Sequence, residues 1–525
     1  MDERGSAWDW VAAQAERSAD RRFVFFEGTW LTYGEVVAEA DEVAAGLSAH
    51  GVAKGDRIAF LAGNSPEYLV AFLAVVRLGA LFVPIIDGSK PPEIAYVLSH
   101  SGSSFLITDE PHLLELGAAA AELLGDVRRV FLLPADEAAA GRAAPGGPDS
   151  VTYEELRAVQ GPPPSVAVSG ADDLGIFYTS GTTGKPKGAV LPHRGLADAG
   201  RLMAERLEYG ADDVVLCALP LFHVGGLHYC MAPAIAAGAG AMLQRRFSVS
   251  RFWRDVDESG ATGGLLMPAM MAMLLTLPPA PDDRDHPLRL VCSHTRDPKF
   301  SVRFGVDIAT TWALSEGSGI GTFTRPDYDR HEDKLIGWPL GDAQLRIVDA
   351  LGEELPPGGV GEICIRHGSL MRGYWDDPEQ TRLTLRDGWL QTGDAGRLDE
   401  EGRLYFEGRV KNMIKRAGEN VAAEEVQSVI TQHPDVVECA VIGVPDAIRT
   451  EEVKAFVVRG EGAALSPEEL VAWCEERLSS FKVPRYVQFT AELPKSTTGK
   501  IQLFKLRELP DQLECWDRTA AARTA

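Results

Sequence analysis

Short apolar runs and longer amphipathic runs alternate along the first part of the chain. Residues 57–61 predict a strand, residues 65–78 a helix and residues 81–85 a second strand. A helix over 92–99 and a strand over 104–108 continue the alternation. Strands and helices that alternate at this spacing indicate a parallel sheet with crossover helices.

The apolar stretch over residues 68–86 is long enough to suggest a membrane span. Arg77, Gly79 and Pro84 interrupt it. A buried helix, a glycine turn and a strand account for the same residues, so we expect no membrane span.

The pattern becomes rich in strands after about residue 340, and a compact βαβ-like unit follows from about residue 411 to 507. These patterns predict an α/β fold in two parts. The large N-terminal domain, residues 1–410, is expected to hold parallel α/β layers and a β-rich subdomain. A small, mobile α+β C-terminal domain is expected over residues 411–525.

A segment rich in glycine and hydroxyl groups, residues 178–188 (YTSGTTGKPKG), follows an apolar strand predicted over 174–178. Its glycines allow backbone N–H groups to turn towards an anion. Phosphate oxygens can also be bound by its hydroxyls and its two lysines. The residues that carry this prediction are Thr179, Ser180, Gly181, Thr182, Thr183, Lys185 and Lys187. The spacing is not that of the Walker motif, and an ordinary flexible surface loop is the alternative interpretation.

Composition and charge fit a globular enzyme and argue against a nucleic-acid partner. The 525 residues are 45% hydrophobic and carry a net charge of −24, which would repel a phosphate polymer. The seven cysteines are odd in number and show no CxxC spacing, which argues against a disulfide framework or a zinc site. Cysteine usage and the lack of a signal-peptide pattern predict a cytoplasmic protein.

Six motifs in one order make the sequence resemble the adenylate-forming, or AMP-dependent, synthetase superfamily, and within it the acyl-CoA ligases. The first motif is the loop over 178–188. The others are residues 266–270 (LMPAM), 312–316 (WALSE), 392–394 (TGD), 408–414 (GRVKNMI) and 494–501 (PKSTTGKI). The resemblance covers essentially the whole chain. It implies that a carboxylic acid is joined to AMP and then passed to the thiol of coenzyme A.

The resemblance assigns catalytic roles to three side chains. Lys500 would bring positive charge from the mobile domain to the α-phosphate, where two anions must meet. Glu316 would hold Mg²⁺, a hard cation that prefers oxygen ligands. His223, in residues 220–226 (PLFHVGG), resembles an aromatic gate beside the acyl pocket, with a core histidine as the alternative.

The same resemblance implies contacts to the nucleotide. The loop residues and Lys187 would bind phosphate, Trp312 and Ser315 lie in the motif beside adenine, and Asp394 would accept hydrogen bonds from the ribose hydroxyls. Arg409 would add a further ribose or phosphate contact.

The thioester step would follow rotation of the C-terminal domain about Lys411. Gly418 would then leave room for the pantetheine arm. Arg449, Phe481, Lys482 and Arg485 are candidates for the nucleotide end of coenzyme A, with a solvated basic face as the alternative.

The acyl pocket implied by the resemblance is largely apolar and rich in methionine, which favours a bulky hydrophobic acid. Its candidate residues are His223, Gly226, Met267, Met270, Ala313 and Gly319. No aspartate follows Phe222 where members that activate amino acids carry one, so an amino-acid substrate is disfavoured.

The region expected to hold adenine departs from the family pattern. Where the family carries Gly-Gly-Ala/Ser-Pro, residues 288–300 read LRLVCSHTRDPKF. We expect a shortened segment without the helix that usually follows. Losing one hydrogen bond or stack would weaken ATP binding by about 1–3 kcal/mol. A side chain such as Arg296 or Trp312 in the adenine space would exclude ATP.

The sequence therefore predicts an acyl-CoA ligase that acts on a bulky hydrophobic carboxylic acid, with coenzyme A, ATP or acyl-AMP, and Mg²⁺ as ligands. One alternative is a ligase limited to thioesterification, which a separate adenylating enzyme would supply. The others are an enzyme that loads a carrier protein, a luciferase-like oxygenase and a non-catalytic binding protein. The sequence leaves the oligomeric state open; homodimers are common among the proteins that it resembles.

Overall fold

The computed structural model describes most of the chain. The described residues are 5–89, 91–116, 124–134, 149–179, 186–324, 328, 332–416, 419–446, 449–478, 480, 482–495, 501–509 and 515–519. They form two compact units, each made of two segments. The first unit comprises Met1–Leu345 and Ile365–Gln391, and the second comprises Arg346–Cys364 and Thr392–Ala525. The expected boundary at residue 411 falls inside the second unit and stays a prediction.

Two sheets form the framework of the first unit. The strands of sheet I are, in spatial order, Gly373–Tyr374, Lys187–Pro192, Asp173–Thr179, Leu81–Pro84, Arg57–Leu61, Phe105–Asp109, Arg129–Leu133 and Ser150–Thr152. The strands of sheet II are Leu335–Pro339, Thr322–Phe323, Asp307–Trp312, Leu290–Ser293, Gly263–Leu265, Val214–Cys217, Gly240–Leu243, Arg22–Phe26 and Thr29–Thr32. Sheet II is parallel through its middle, with antiparallel strands on both sides. Sheet I has antiparallel strands at one end only and is parallel from Asp173–Thr179 to its other edge, Ser150–Thr152. The predicted α/β fold is confirmed.

Helices connect these strands. They span Ala7–Ser18, Tyr33–Ala49, Pro66–Arg77, Pro91–Ser101, Glu110–Leu116, Tyr153–Arg157, His193–Arg206, Val224–Gly226, Ala232–Ala237, Phe252–Ser259, Pro268–Leu275, Pro298–Phe304 and Pro378–Thr384. A π-helical turn occupies Leu227–Met231, and a 3₁₀ turn occupies Ser315–Gly317. Apolar side chains of residues such as Val83, Leu106 and Ile176 pack on sheet I, while Leu216, Val291 and Ile308 pack on sheet II.

The predicted alternation over residues 57–108 is confirmed with small shifts in the boundaries. Ser65 caps the helix Pro66–Arg77, because its side chain accepts a hydrogen bond from the Tyr68 N–H and Pro66 occupies the first turn. The apolar stretch over 68–86 is divided between this helix and the strand Leu81–Pro84. Among the described residues, the structure contains no helix that is both long and apolar enough to cross a membrane.

The second unit contains one group of strands, three of which cross a boundary between the units, and one separate sheet. The first group is Gln344–Val348, Gly361–Arg366, Trp389–Leu398 and Leu404–Arg409. The strands of sheet III are Met413–Arg416, Glu419–Ala422, Val436–Asp446, Thr450–Arg459, Tyr486–Phe489 and Trp516–Asp517. The helices are Ala423–Thr431, Pro467–Glu475 and Leu503–Arg507, and a 3₁₀ turn spans Val410–Asn412.

Sheet III has an apolar core on each face, because alternate side chains of a strand point to opposite sides. Val441 and Ala455 lie in one core, and Ile442 and Phe456 lie in the other. Thr450–Arg459 and Tyr486–Phe489 are parallel, and the helix Pro467–Glu475 connects them. The predicted βαβ-like element is therefore present.

Candidate active site

The hairpin that carries the predicted phosphate loop lies near one end of sheet I, next to the edge strand Gly373–Tyr374. Its strands, Asp173–Thr179 and Lys187–Pro192, are antiparallel, and Thr179 lies opposite Lys187. The predicted phosphate ligands Ser180, Gly181, Thr182 and Thr183 lie outside the described residues, as does Lys185. The structure therefore fixes the two ends of this loop.

Glu316 contacts one end of this hairpin. It lies in the 3₁₀ turn Ser315–Gly317, shortly after the strand Asp307–Trp312 of sheet II. Its Oε1 accepts hydrogen bonds from Thr179 Oγ1 at 3.2 Å and from the Tyr374 hydroxyl at 3.0 Å. Its own carbonyl oxygen accepts a bond from the Met371 N–H. The carboxylate is thus held between the two sheets, beside the loop.

Sequence reasoning missed Tyr374, which also contacts Lys187. Burial, together with the neighbouring Glu316 carboxylate, raises the pKa of the Tyr374 hydroxyl, so that it stays a neutral donor. Lys187 Nζ lies 5.2 Å from the centre of the Tyr374 ring and donates a hydrogen bond to Gln380. The Tyr374 side chain therefore contacts both the Glu316 carboxylate and the Lys187 ammonium group.

His223 lies at the start of a short helix, Val224–Gly226, that leads into the π-helical turn. Its Nδ1 accepts a hydrogen bond from the Gly225 N–H at 2.9 Å. The neutral ring therefore carries its proton on Nε2. The side chain is exposed, yet burial by the surrounding protein lowers the pKa of His223, and His294 adds to this.

The predicted acyl-pocket residues follow the carboxyl ends of parallel strands in sheet II. Met267 precedes the helix Pro268–Leu275, and Met270 within it packs partly against the sheet II core. Trp312 is buried at the end of its strand, and Ala313 and Ser315 follow it, half-buried. Ligands of open α/β sheets bind at this edge.

Both predicted pocket glycines are needed by the local packing. A Cβ at Gly226 would lie 2.3 Å from the Pro220 carbonyl oxygen. Gly319 has φ of +77°, and a Cβ there would lie 3.0 Å from Tyr229 and from Val224. An aromatic and an aliphatic side chain therefore lie directly against Gly319.

The atypical segment after the strand Leu290–Ser293 contains a helix, so the expectation that this helix is missing is wrong. Asp297 caps the helix Pro298–Phe304 by accepting hydrogen bonds from the Lys299 and Phe300 N–H groups. The His294 ring hydrogen-bonds through Nδ1 to the Thr311 carbonyl at 3.2 Å, and Arg296 donates to the Tyr328 carbonyl at 3.1 Å. The His294 and Arg296 side chains are therefore each held by a backbone carbonyl group.

In the second unit, Asp394 and Arg409 lie opposite each other on antiparallel strands. Asp394 Oδ1 is 2.7 Å from Arg409 Nε; the carboxylate is buried and the guanidinium is half-exposed. The structure thus brings together the two side chains that sequence reasoning assigned to the ribose.

The remaining predicted residues of the second unit are described in part. The backbone of Lys411 lies in the turn Val410–Asn412. Gly418, Phe481 and Lys500 lie outside the described residues. Arg449 Nη1 donates to Glu452 at 2.8 Å, and Arg485 pairs with Asp446 and Asp517. Lys482 pairs with Glu425 at 2.9 Å.

Comparison with known proteins identifies relatives along nearly the full length of the chain. The family model described as AMP-binding enzyme matches residues 11–375, and the AMP-binding enzyme C-terminal domain matches residues 425–500. A crotonobetaine/carnitine–CoA ligase of Salmonella paratyphi A is 33% identical over 514 residues, which cover 94% of this chain and 96% of the relative.

Two solved structures have the same fold. The anthranilate CoA ligase AuaEII in complex with anthranoyl-AMP is 28% identical, with a TM-score of 0.84 and 97% of each chain covered. ATP-bound MatB from Rhodopseudomonas palustris is 28% identical, with a TM-score of 0.82, and the match covers 96% of this chain and 99% of that one.

Proposed function

Because this chain belongs to the AMP-binding enzyme family, in its acyl-CoA ligase branch, we propose that it converts a carboxylic acid with a bulky apolar body into its coenzyme A thioester through an acyl-adenylate. The observation that carries the proposal is the Glu316 carboxylate, which Thr179 and Tyr374 orient beside the end of the phosphate-loop hairpin. A phosphate loop next to an oriented carboxylate suits a nucleotide that binds with a hard cation.

The residues around Glu316 fit Mg²⁺. Both of the hydrogen bonds described above go to Oε1, which leaves Oε2 for a cation that prefers oxygen ligands. The Glu316 carboxylate would hold the cation, whose positive charge would offset the negative charge of the nucleotide phosphates. The neutral Tyr374 hydroxyl and the Thr179 hydroxyl would keep the carboxylate in one orientation, and Lys187 would add positive charge beside the phosphates.

We propose that Lys500 supplies the positive charge at the reacting phosphate. The C-terminal domain would then rotate about Lys411 before the second half-reaction, thioester formation. Joining a carboxylate to a triphosphate brings two anions together, and a fixed cation at that point lowers the barrier. Asp394 and Arg409 would hold the ribose. Gly418 would then let the pantetheine thiol reach the same carbonyl carbon, and Arg449 and Phe481 would contact the nucleotide end of coenzyme A.

The surroundings of His223 support an apolar acid. Val224 and Tyr229 are buried beside Gly319, Trp312 is buried at the end of its strand, and Tyr229 stacks on Phe323 with ring centres 5.8 Å apart. Such walls favour contact with hydrocarbon or aromatic groups over charged ones.

A second candidate is a ligase that carries out only thioesterification. It is favoured by the atypical segment, in which His294 and Arg296 bring side chains to the carboxyl edge of sheet II. If these side chains occupy the space of adenine, the enzyme would accept an acyl-adenylate that another enzyme has made.

One experiment tests both candidates by measuring the two half-reactions separately. Benzoate, cyclohexanecarboxylate, octanoate, anthranilate and crotonobetaine are assayed for acid-dependent ATP–pyrophosphate exchange and for thioester formation with coenzyme A. Exchange with the apolar acids is expected for the complete ligase. Thioester formed from synthetic benzoyl-AMP without exchange would support the second candidate, and no reaction in either assay would contradict both.

A matched pair of lysine variants locates the catalytic charge. Lys500→Ala is expected to reduce exchange by at least about 100-fold. Lys495→Ala, which removes a surface lysine that pairs with Glu438, is expected to leave exchange within a factor of two. Equal activity of the two variants would contradict the role of Lys500.

A further inference from the structure

Asn64 connects the two sheets of the first unit at the base of the segment that carries His223. It follows the strand Arg57–Leu61 of sheet I and is 6% exposed. The adjacent Ser65 caps the next helix and fixes the local backbone. Asn64 therefore presents its amide from a rigid position.

Every hydrogen bond described for the Asn64 amide goes to backbone groups of sheet II loops. Its Nδ2 donates to the Leu219 carbonyl at 3.0 Å and to the Gln244 carbonyl at 2.9 Å, and its Oδ1 accepts from the Leu221 N–H at 2.8 Å. All three bonds are buried. They use both N–H donors of the amide and one lone pair of its oxygen.

These bonds hold the start of residues 219–226, which we call the gate segment. Leu219 and Leu221 follow the strand Val214–Cys217, and Gln244 follows the neighbouring strand Gly240–Leu243. His223 lies two residues beyond Leu221. Its backbone hydrogen bonds stay within its own turn and go to Pro220, Gly226 and Leu227. The turn orients the imidazole locally, whereas Asn64 fixes the turn to the sheets.

The other side of the Asn64 loop is also anchored. The Gly63 N–H donates to Asp109 Oδ2 at 3.4 Å, and His112 lies between Asp109 and Asp87 with nitrogen–oxygen distances of 2.5 and 2.9 Å. The loop between Leu61 and Ser65 is thus held at the carboxyl edge of sheet I while it holds the gate segment. This places a rigid connection between the sheet of the phosphate loop and the sheet of the acyl pocket.

We propose that Asn64 is a positioning residue that fixes the gate segment, and with it His223, relative to the acyl pocket. The inference rests on the proposed function for its kinetic consequence, but the fixation itself is a property of the fold. Loosening the gate segment is expected to weaken selection of the acid and to leave ATP recognition unchanged, because two of the three bonds end in the segment that carries His223 and the third ends at Gln244, after the neighbouring strand.

Two variants and a matched control test the proposal. Asn64→Ala removes all three hydrogen bonds. Asn64→Asp keeps an acceptor for the Leu221 N–H but loses at least one of the two donors, because a carboxyl group carries at most one proton. The control is Tyr33→Phe, which removes a buried hydroxyl that donates to the Ala234 and Ala239 carbonyls at 3.0 and 2.7 Å. It disturbs buried bonds of the same kind outside the gate segment.

Hydrogen–deuterium exchange of the full chain measures the fixation without any substrate. Peptides that cover residues 219–226 are expected to exchange at least ten-fold faster in both Asn64 variants than in the wild type, and at the wild-type rate in Tyr33→Phe. Unchanged exchange in a folded Asn64 variant would overturn the proposal. If Asn64→Ala does not fold, Asn64→Asp decides the outcome.

The kinetic arm separates positioning from a general loss of stability. With the best acid of the panel, the KM for the acid is expected to rise at least ten-fold and the KM for ATP to change less than two-fold. A fall in kcat with both KM values unchanged would indicate a merely structural role and would overturn the proposal. An inactive wild type would count against the proposed function, while hydrogen exchange would still decide whether Asn64 holds the gate segment.

Discussion

Replacing Glu452 by glutamine removes the negative charge at the centre of an arginine cluster in the second unit. The Glu452 carboxylate is fully buried, and its Oε2 lies 2.5 Å from Arg416 Nε. Its Oε1 lies 2.8 Å from Arg449 Nη1 and 3.7 Å from Arg485 Nη1. Glutamine keeps the shape and one acceptor, but it turns an NH₂ group towards a guanidinium.

The magnitude follows from the burial of Arg416, whose side chain is 8% exposed. Removing one partner of a buried ion pair costs about 3–5 kcal/mol, since the other charge stays desolvated. For a unit of roughly 150 residues, each kcal/mol lowers Tm by about 2–4 °C. The expected decrease in Tm is therefore about 6–20 °C.

Differential scanning calorimetry of the full chain measures the effect. The control is Glu476→Gln in the same unit, where the carboxylate is 72% exposed and pairs with Arg477. An exposed pair contributes about 0–1 kcal/mol, so this variant should melt within about 4 °C of the wild type. If Glu452→Gln melts together with the control, Glu452 does not supply the charge that Arg416 needs.

Three further predictions concern the first unit. Glu316→Gln keeps an acceptor for Thr179 and Tyr374, so Tm should stay at the wild-type value. ATP–pyrophosphate exchange should fall by about 10²–10³-fold. Undiminished exchange at saturating Mg²⁺ would contradict the assignment of Glu316 to the cation. Tyr374→Phe keeps the ring beside Lys187 but loses a hydrogen bond to a carboxylate that is worth about 1.5–3 kcal/mol, and exchange should fall by roughly ten-fold or more; an exchange rate equal to that of the wild type would count against it. Burial lowers the pKa of His228 to about 3, so the unfolded chain binds a proton between about pH 6.5 and 3 that the folded chain does not. The free energy of unfolding should therefore decrease as the pH falls, by about 2 kcal/mol at pH 5. The change in Tm between pH 7 and pH 5 should be smaller for His228→Phe than for the wild type. Equal changes in Tm would refute the reasoning.

The order of elements over residues 57–108 followed from the sequence, whereas the 3.2 Å hydrogen bond between Thr179 and Glu316 is known only from the structure. The spacing of apolar residues, together with turn-forming residues, predicted the alternation of strands and helices over residues 57–108. Two motifs typical of one family pointed to the loop and to the carboxylate. Both signals are local, and the fold brings them together at the carboxyl edges of the sheets.

The contacts that sequence reasoning missed are tertiary or very short. Tyr374 belongs to a two-residue strand, Gly373–Tyr374, which is too short to show any periodicity. Asn64 acts through backbone groups more than 150 positions away along the chain. The helix Pro298–Phe304 did have a signal, because Asp297 followed by proline is a typical helix start.

The two-segment construction of the second unit has a consequence for synthesis on the ribosome. The chain changes units inside the strands Gln344–Val348, Gly361–Arg366 and Trp389–Leu398. The segment Arg346–Cys364 emerges before the residues that complete its unit, and Ile365–Gln391, which belongs to the first unit, emerges in between. Nascent strands without partners are prone to aggregate. Slow decoding between residues 365 and 392 would prolong that exposure, so synonymous codon choice there should affect the yield of folded enzyme.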